Sequence, residues 1–167
     1  MPKLRDLRKV DADFATSGPN VTKLRQHVAV PAADLFRCLE DGPAWNEWLG
    51  IDVEWTSEKP FGVGTTRTVT VNRQTLEAYF LAWEDGRRMN FRFDRTTLPM
   101  TAFAEDYLIE PKGEAACELV WSYAFEWAGP LKSIAGPLFA KAFAFNATRS
   151  LKKLAAMMES SGTRFSA

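Results

Sequence analysis

Glu118-Leu119-Val120-Trp121-Ser122-Tyr123-Ala124-Phe125-Glu126-Trp127 sets large apolar side chains at every second position. Successive side chains of an extended chain point to opposite faces, so Leu119, Trp121, Tyr123, Phe125 and Trp127 share one face. So aromatic a face is the inner one of an antiparallel sheet. Gly129-Pro130 ends the strand. Beyond it the period becomes helical over about 131–159, with Gly136-Pro137 expected to interrupt or kink the first turns.

Upstream, period two persists back to residue 51. Six strands are predicted, near 51–57, 65–72, 75–83, 89–96, 102–110 and 116–127. Their breaks, such as Asn72-Arg73, Asp85-Gly86 and Pro111-Lys112-Gly113, are short, so neighbours pair as antiparallel hairpins. Before them come a strand over 21–30 stopped by Pro31, a helix over 32–40, and a second short helix carrying Trp45, Trp48 and Leu49. Residues 1–19 read as a charged lead-in in which Leu4, Leu7 and Val10 suggest a short helix of marginal length. Residues 20–160 read as one domain and 161–167 as a flexible tail. The order β-α-α-β6-α is an α+β layout in which one long amphipathic helix covers a curved sheet.

Length and composition bound what such a domain does. With 167 residues, 46% apolar and 25% charged, the chain suits one core and is neither disordered nor fibrous. Lys+Arg and Asp+Glu both number 21, a balance that argues against an electrostatic footprint for nucleic acid or an anionic membrane. One histidine, His27, and two distant cysteines, Cys38 and Cys117, leave no Cys/His metal site. No metal or cofactor is expected. The basic start lacks the apolar stretch of a signal peptide, and no run approaches a membrane span, so the expected setting is the cytoplasm. Twelve Phe, six Trp and three Tyr exceed what a small core needs.

Hairpin register assigns them. Centring the last hairpin near Gly113 turns Phe103, Glu105, Tyr107 and Ile109 inward, with Glu105 opposite Trp121. The turn near Pro99 does the same for Phe91, Phe93 and Arg95, placing Glu105 opposite Phe93 and diagonal to Arg95. Two-residue turns then put Ala78, Phe80 and Ala82 inward, and Arg67, Val69 and Val71 inward, leaving Tyr79 and Trp83 outside. Across from this wall, the last helix presents Ala140, Phe143, Ala144, Ala147, Leu151, Leu154 and Met158. The alanines of its first half leave space, and such a void is where a ligand goes.

Three ionisable groups interrupt the aromatic wall: Arg67, Arg95 and Glu105. An inward carboxylate is costly unless it is paired or protonated. Glu105 with Arg95 reads in either of two ways. It is an ion pair closing the mouth of the sheet, or it is a polar anchor for a ligand, with Glu105 the best candidate for a general acid or base. Tyr107 and Tyr123 read as core tyrosines whose hydroxyls reach the rim, or as ligand contacts. Gly62-Val63-Gly64 precedes a strand rather than a helix and is no phosphate cradle.

The pattern over about 21–160 resembles the START-like (SRPBCC) superfamily in its polyketide cyclase/dehydrase branch. The resemblance is carried by Val28-Ala29-Val30-Pro31-Ala32-Ala33-Asp34-Leu35-Phe36 and by Leu39 to Trp48, which is similar to a segment of the family with spaced aromatics. Gly62-Val63-Gly64, the Trp83-Glu84-Asp85-Gly86-Arg87-Arg88-Met89 hairpin and Glu114 to Trp127 add to it. It implies a helix-grip fold, a seven-stranded antiparallel sheet around the C-terminal helix enclosing a hydrophobic cavity. It also implies binding of lipid-, sterol- or polyketide-like molecules, with cyclase or dehydratase activity in some members. Such cyclases use an interior Arg and Tyr, roles for which Arg67, Arg95, Tyr107 and Tyr123 are chemically suited.

The expectation is therefore a carrier or sensor, monomeric or homodimeric, for a small hydrophobic ligand. The cavity would be lined by Arg67, Phe80, Phe91, Phe93, Arg95, Phe103, Glu105, Tyr107, Trp121, Tyr123 and Phe143. Rival readings are a polyketide cyclase or dehydratase using Glu105 or a tyrosine as acid/base, and an interaction module anchored by Phe145, or by Tyr79 and Trp83.

Overall fold

In the computed structural model, which describes residues 2–167, the chain runs β1 (Arg5–Asp6), α1 (Phe14–Ser17), β2 (Thr22–Val28), α2 (Ala32–Glu40), α3 (Ala44–Leu49), β3 (Asp52–Trp55), β4 (Thr66–Val71), β5 (Gln74–Glu84), β6 (Arg88–Thr96), β7 (Met100–Pro111), β8 (Cys117–Trp127) and α4 (Lys132–Ser160). Seven strands lie antiparallel in the order β2-β8-β7-β6-β5-β4-β3, with β1 added beside β6. The expected order of elements is present, and the fold is an α+β helix grip. Pro31 sits at the N-cap of α2, where its fixed φ suits a helix start. α4 passes through Pro137 as one helix, so no break occurs there. Close approach helps to seat it, because a Cβ on Gly136 would lie 3.3 Å from Asn20 Nδ2 and 3.4 Å from the Trp127 Cβ.

β8 carries its aromatic alternation inward as read. Trp121, Tyr123 and Phe125 are fully buried, and so are Ser122 and Ala124 on the other face. That second burial comes from the lead-in. Instead of a helix through Leu4, Leu7 and Val10, the chain adds β1 to the edge of β6 at Arg95–Thr96. It then crosses between β6 and β7, where Leu7 N–H donates to the Asp94 carbonyl and Arg8 N–H to the Thr101 carbonyl, both at 2.8 Å. Leu7 enters the main core, while Val10, Phe14 and Ala15 cover Ala102 and Ala104 on the outer face. Asn90 and Asp106, polar and buried under this strap, bond each other at 2.8 Å, and Asn90 also reaches the Ala12 carbonyl.

Two β-bulges revise the register. Glu77 pairs with Arg95 but Ala78 with Phe93, so Asp94 is an extra residue that reverses the faces beyond it. Arg95 therefore points outward, against Glu77 and Asp6, and Thr96 takes the buried side. The predicted inward Arg95 is corrected accordingly. Phe80 pairs with Phe91 but Ala82 with Asn90, so Leu81 is a second extra residue. Ala82 consequently faces outward and Trp83 inward, where it packs on Phe36, Trp55, Phe61 and Phe80. The predicted flexible tail is also tied down. Phe165 is buried, its carbonyl accepts from Arg37, and Arg164 pairs with Glu47.

If the lead-in is part of the core, Leu7→Ala should cost about 2 kcal/mol or more of unfolding free energy in urea titration. A loss under about 0.5 kcal/mol would place Leu7 on the surface.

Candidate functional site

β7 puts Glu105 and Tyr107 two residues apart on the inner face. β8 places Trp121 directly opposite Tyr107, and Tyr123 opposite Glu105. On the other side Glu105 faces Phe91. Its neighbours are thus each one pair along from the predicted Phe93 and Trp121, on the predicted face. Both donors reach the same carboxylate oxygen: Tyr107 Oη donates to Glu105 Oε2 at 2.9 Å and Trp121 Nε1 at 3.2 Å.

Arg67 comes from β4 and is 2% exposed. Its guanidinium carbon lies 4.5 Å from the ring centroids of both Trp45 and Phe91, with Trp55 and Phe80 each at 5.3 Å. Such aromatic faces attract a cation by about 0.5–2 kcal/mol apiece, more when water is excluded. They do not satisfy its N–H groups: Nε and Nη1 are buried without a hydrogen-bond partner. Among the described residues, no acid lies within ion-pairing distance of Arg67.

These environments set the charges. Burial pushes the Glu105 carboxyl up to about 7, against the opposing pull of the Tyr107 hydrogen bond, the Arg67 charge and the Trp121 hydrogen bond. Burial draws Arg67 down to about 10, which leaves it cationic at neutral pH. Burial, with the Glu105 charge beside it, lifts the Tyr107 phenol well above its ordinary value, so it remains a donor. The result is a buried cluster with one fixed cation and one carboxyl poised between its two states.

The cluster opens into a cavity of about 530 Å³ between sheet and α4. That volume is within the range that encloses a small organic molecule. Arg67, Phe93, Phe103, Glu105, Tyr107 and Phe143 of the predicted set line it. Phe80 and Phe91 stand behind, against the Arg67 guanidinium. Trp121 and Tyr123 likewise form a backing layer: Trp121 holds Glu105, and Tyr123 meets Phe143 edge to face at 4.7 Å. Arg95 is on the opposite side of the sheet and takes no part. The alanine reading of α4 needs adjustment. Ala147 lines the cavity, but the opening runs along the flank bearing Phe139, Asn146 and Ser150, and Ala140 and Ala144 lie off it. Sequence reasoning missed Trp45, which it left with the short helices although it forms one wall and covers Arg67. It also missed Leu49, Ile51 and the rim cations Arg149 and Lys153. The Trp45–Trp48 spacing was a signal for a buried helix face, without an indication of what it covers.

With this geometry in view, comparison with known proteins is informative. A family described as polyketide cyclase / dehydrase and lipid transport matches residues 21–159. The chain belongs to that family. An uncharacterised protein of Mycobacterium tuberculosis is 36% identical over 130 residues, covering 74% of this chain and 76% of its own length. A START superfamily protein from Mycobacterium smegmatis superposes with a TM-score of 0.69 at 12% identity, covering 83% of this chain and 98% of its own. A Streptomyces aromatase/cyclase superposes with a TM-score of 0.68 at 16% identity, covering 85% and 97%. At such identities the likeness is one of fold, a START-like helix grip.

Within this polyketide cyclase/dehydrase-type scaffold, the Glu105 carboxyl makes stability depend on pH. The folded state binds its proton more tightly than the unfolded chain does. That contribution is complete below about 4.5 and is lost as pH rises through about 7. Relative to Glu105→Gln, the wild-type chain should lose on the order of 3 kcal/mol between those limits, as read by urea melts. A difference that does not change with pH would mean that Glu105 titrates alike in the folded and unfolded chain.

Proposed function

We propose that this protein binds a small hydrophobic molecule, lipid-, sterol- or polyketide-like, whose oxygen-bearing end is oriented by Arg67, Glu105 and Tyr107. The observation that carries the reading is the buried Arg67 guanidinium, which lines an apolar cavity and, among the described residues, pairs with no carboxylate. An unpaired buried cation is expensive, and an anionic or enolic oxygen beside it would offset that cost. Glu105 complements such a group: its neutral carboxyl can donate through Oε1, while Tyr107 and Trp121 hold it in place by donating to Oε2. The aromatic wall supplies affinity. About 300 Å² of buried ligand surface at roughly 25 cal/mol per Å² corresponds to about 7 kcal/mol before ordering costs, which suits micromolar binding.

A second reading is favoured by the Glu105 carboxyl at about 7 in hydrogen-bond contact with Tyr107. A group titrating near neutrality is suited to general acid/base work, so a cyclase or dehydratase acting on a poly-β-ketone would use Glu105 for proton transfer and Arg67 to stabilise the enolate. Carrier and enzyme differ in one response. Glu105→Gln should weaken binding modestly in a carrier and abolish turnover in an enzyme. The reading of the protein as cytoplasmic fits its two cysteines, Cys38 and Cys117, both free and buried.

The binding reading is tested with 1-anilinonaphthalene-8-sulfonate, an aromatic monoanion whose fluorescence rises in apolar surroundings. Native protein should bind it, Arg67→Met should weaken binding by at least about tenfold, and Arg95→Ala should leave it unchanged. Equal affinity in Arg67→Met and wild type would refute the orienting role of Arg67.

A further inference from the structure

The zero net charge conceals a segregated helix. Between Glu126 and Glu159 there is no acidic residue, while Lys132, Lys141, Arg149, Lys152 and Lys153 all fall there. The same stretch holds four of the six exposed large hydrophobic side chains among the described residues: Leu131, Ile134, Leu138 and Phe145, each more than 60% exposed. At 100° per residue these four lie on one line along the helix, roughly opposite the buried line of Ala147, Leu154 and Met158. Lys141, Arg149 and Lys152 share that outer line, and the Arg149 guanidinium stands 5.8 Å over the Phe145 ring.

From this arrangement we infer that the outer face of α4 docks on an anionic lipid bilayer, lying in the plane of the interface. Leu131, Ile134 and Leu138, then Lys141, Phe145, Arg149 and Lys152, follow one another along a single stripe about 32 Å long; on a bilayer the apolar groups enter the acyl boundary and the cations meet lipid phosphates. A protein-docking patch would instead gather its apolar residues at a centre ringed by polar ones. A second copy of the chain fits poorly, because an antiparallel two-fold contact through this stripe would bury the cations of one copy against the apolar residues of the other with no acidic residue to meet them. Arg149 belongs both to the stripe and to the cavity rim, where Lys153, Asn146 and Ser150 also stand. Docking therefore brings the cavity mouth to the lipid surface, so an apolar occupant could pass between bilayer and protein without crossing water. The docking itself is independent of what the cavity binds.

Co-flotation of the full chain with ligand-free vesicles tests it. Vesicles of phosphatidylcholine with about 30% phosphatidylglycerol should carry the protein, and pure phosphatidylcholine should not. High salt should release it. Leu138→Glu and Phe145→Glu should each reduce flotation by at least about tenfold with unchanged thermal melting, whereas Val63→Glu, an equally exposed apolar position on a loop, should leave it intact. The inference is overturned by absence of flotation on the anionic vesicles, by flotation indifferent to both helix substitutions, or by equal loss in Val63→Glu. It is overturned as well if Leu138→Glu converts a dimer to a monomer in sedimentation, which makes the stripe a subunit interface, or if the protein binds immobilised polyglutamate and ignores the vesicles.

Discussion

A guanidinium held between two aromatic faces, with no carboxylate to pair with, is the constraint around which the interior is arranged. Arg67 needs Trp45 from α3 on one face and Phe91 from β6 on the other, so the short helix and the middle of the sheet must meet across it. Glu105 is near enough to feel the charge but does not neutralise it by contact, being tied instead to Tyr107 and Trp121 through one oxygen. A structural ion pair would have closed this space. An unsatisfied cation at the edge of a cavity keeps it receptive to a polar ligand group, and neutral Glu105 below its titration point increases the net positive character.

The sheet serves that cluster in specific ways. The β7–β8 hairpin delivers Glu105, Tyr107 and Trp121 to one face simply by the period of a strand. The lead-in contributes from outside. By covering Ala102 and Ala104 it makes the central strands buried on both faces, which stiffens the wall behind the cluster. α4 is asymmetric along its length: its second half is anchored by Leu151, Leu154 and Met158, while its first half is only partly buried and flanks the opening.

Much of this was legible in the sequence because strand parity is a local property. Uninterrupted alternation placed Tyr107, Trp121 and Tyr123 on the inner face, and the tight Asn72-Arg73 turn did so for Arg67. Arg95 was misplaced because one extra residue at Asp94 reverses every face beyond it, and nothing in the alternation of side chains marks a bulge. Trp83 was misplaced by the same effect at Leu81. Trp45 and the rim of α4 escaped for another reason: helical periodicity identifies a buried face but leaves open which flank meets a cavity and which meets packed side chains. The lead-in escaped because its conformation is set by the gap it fills between β6 and β7 rather than by its own propensity.

The central claim is that a polar-ended apolar molecule occupies the space beside Arg67. Native mass spectrometry of protein purified from its source tests this most directly. One bound small molecule carrying an acidic or enolic oxygen, present on the wild-type chain and missing from Arg67→Met, is the result expected here. A ligand-free wild-type spectrum that stays unchanged when such molecules are offered, or a bound molecule retained equally by Arg67→Met, would contradict it.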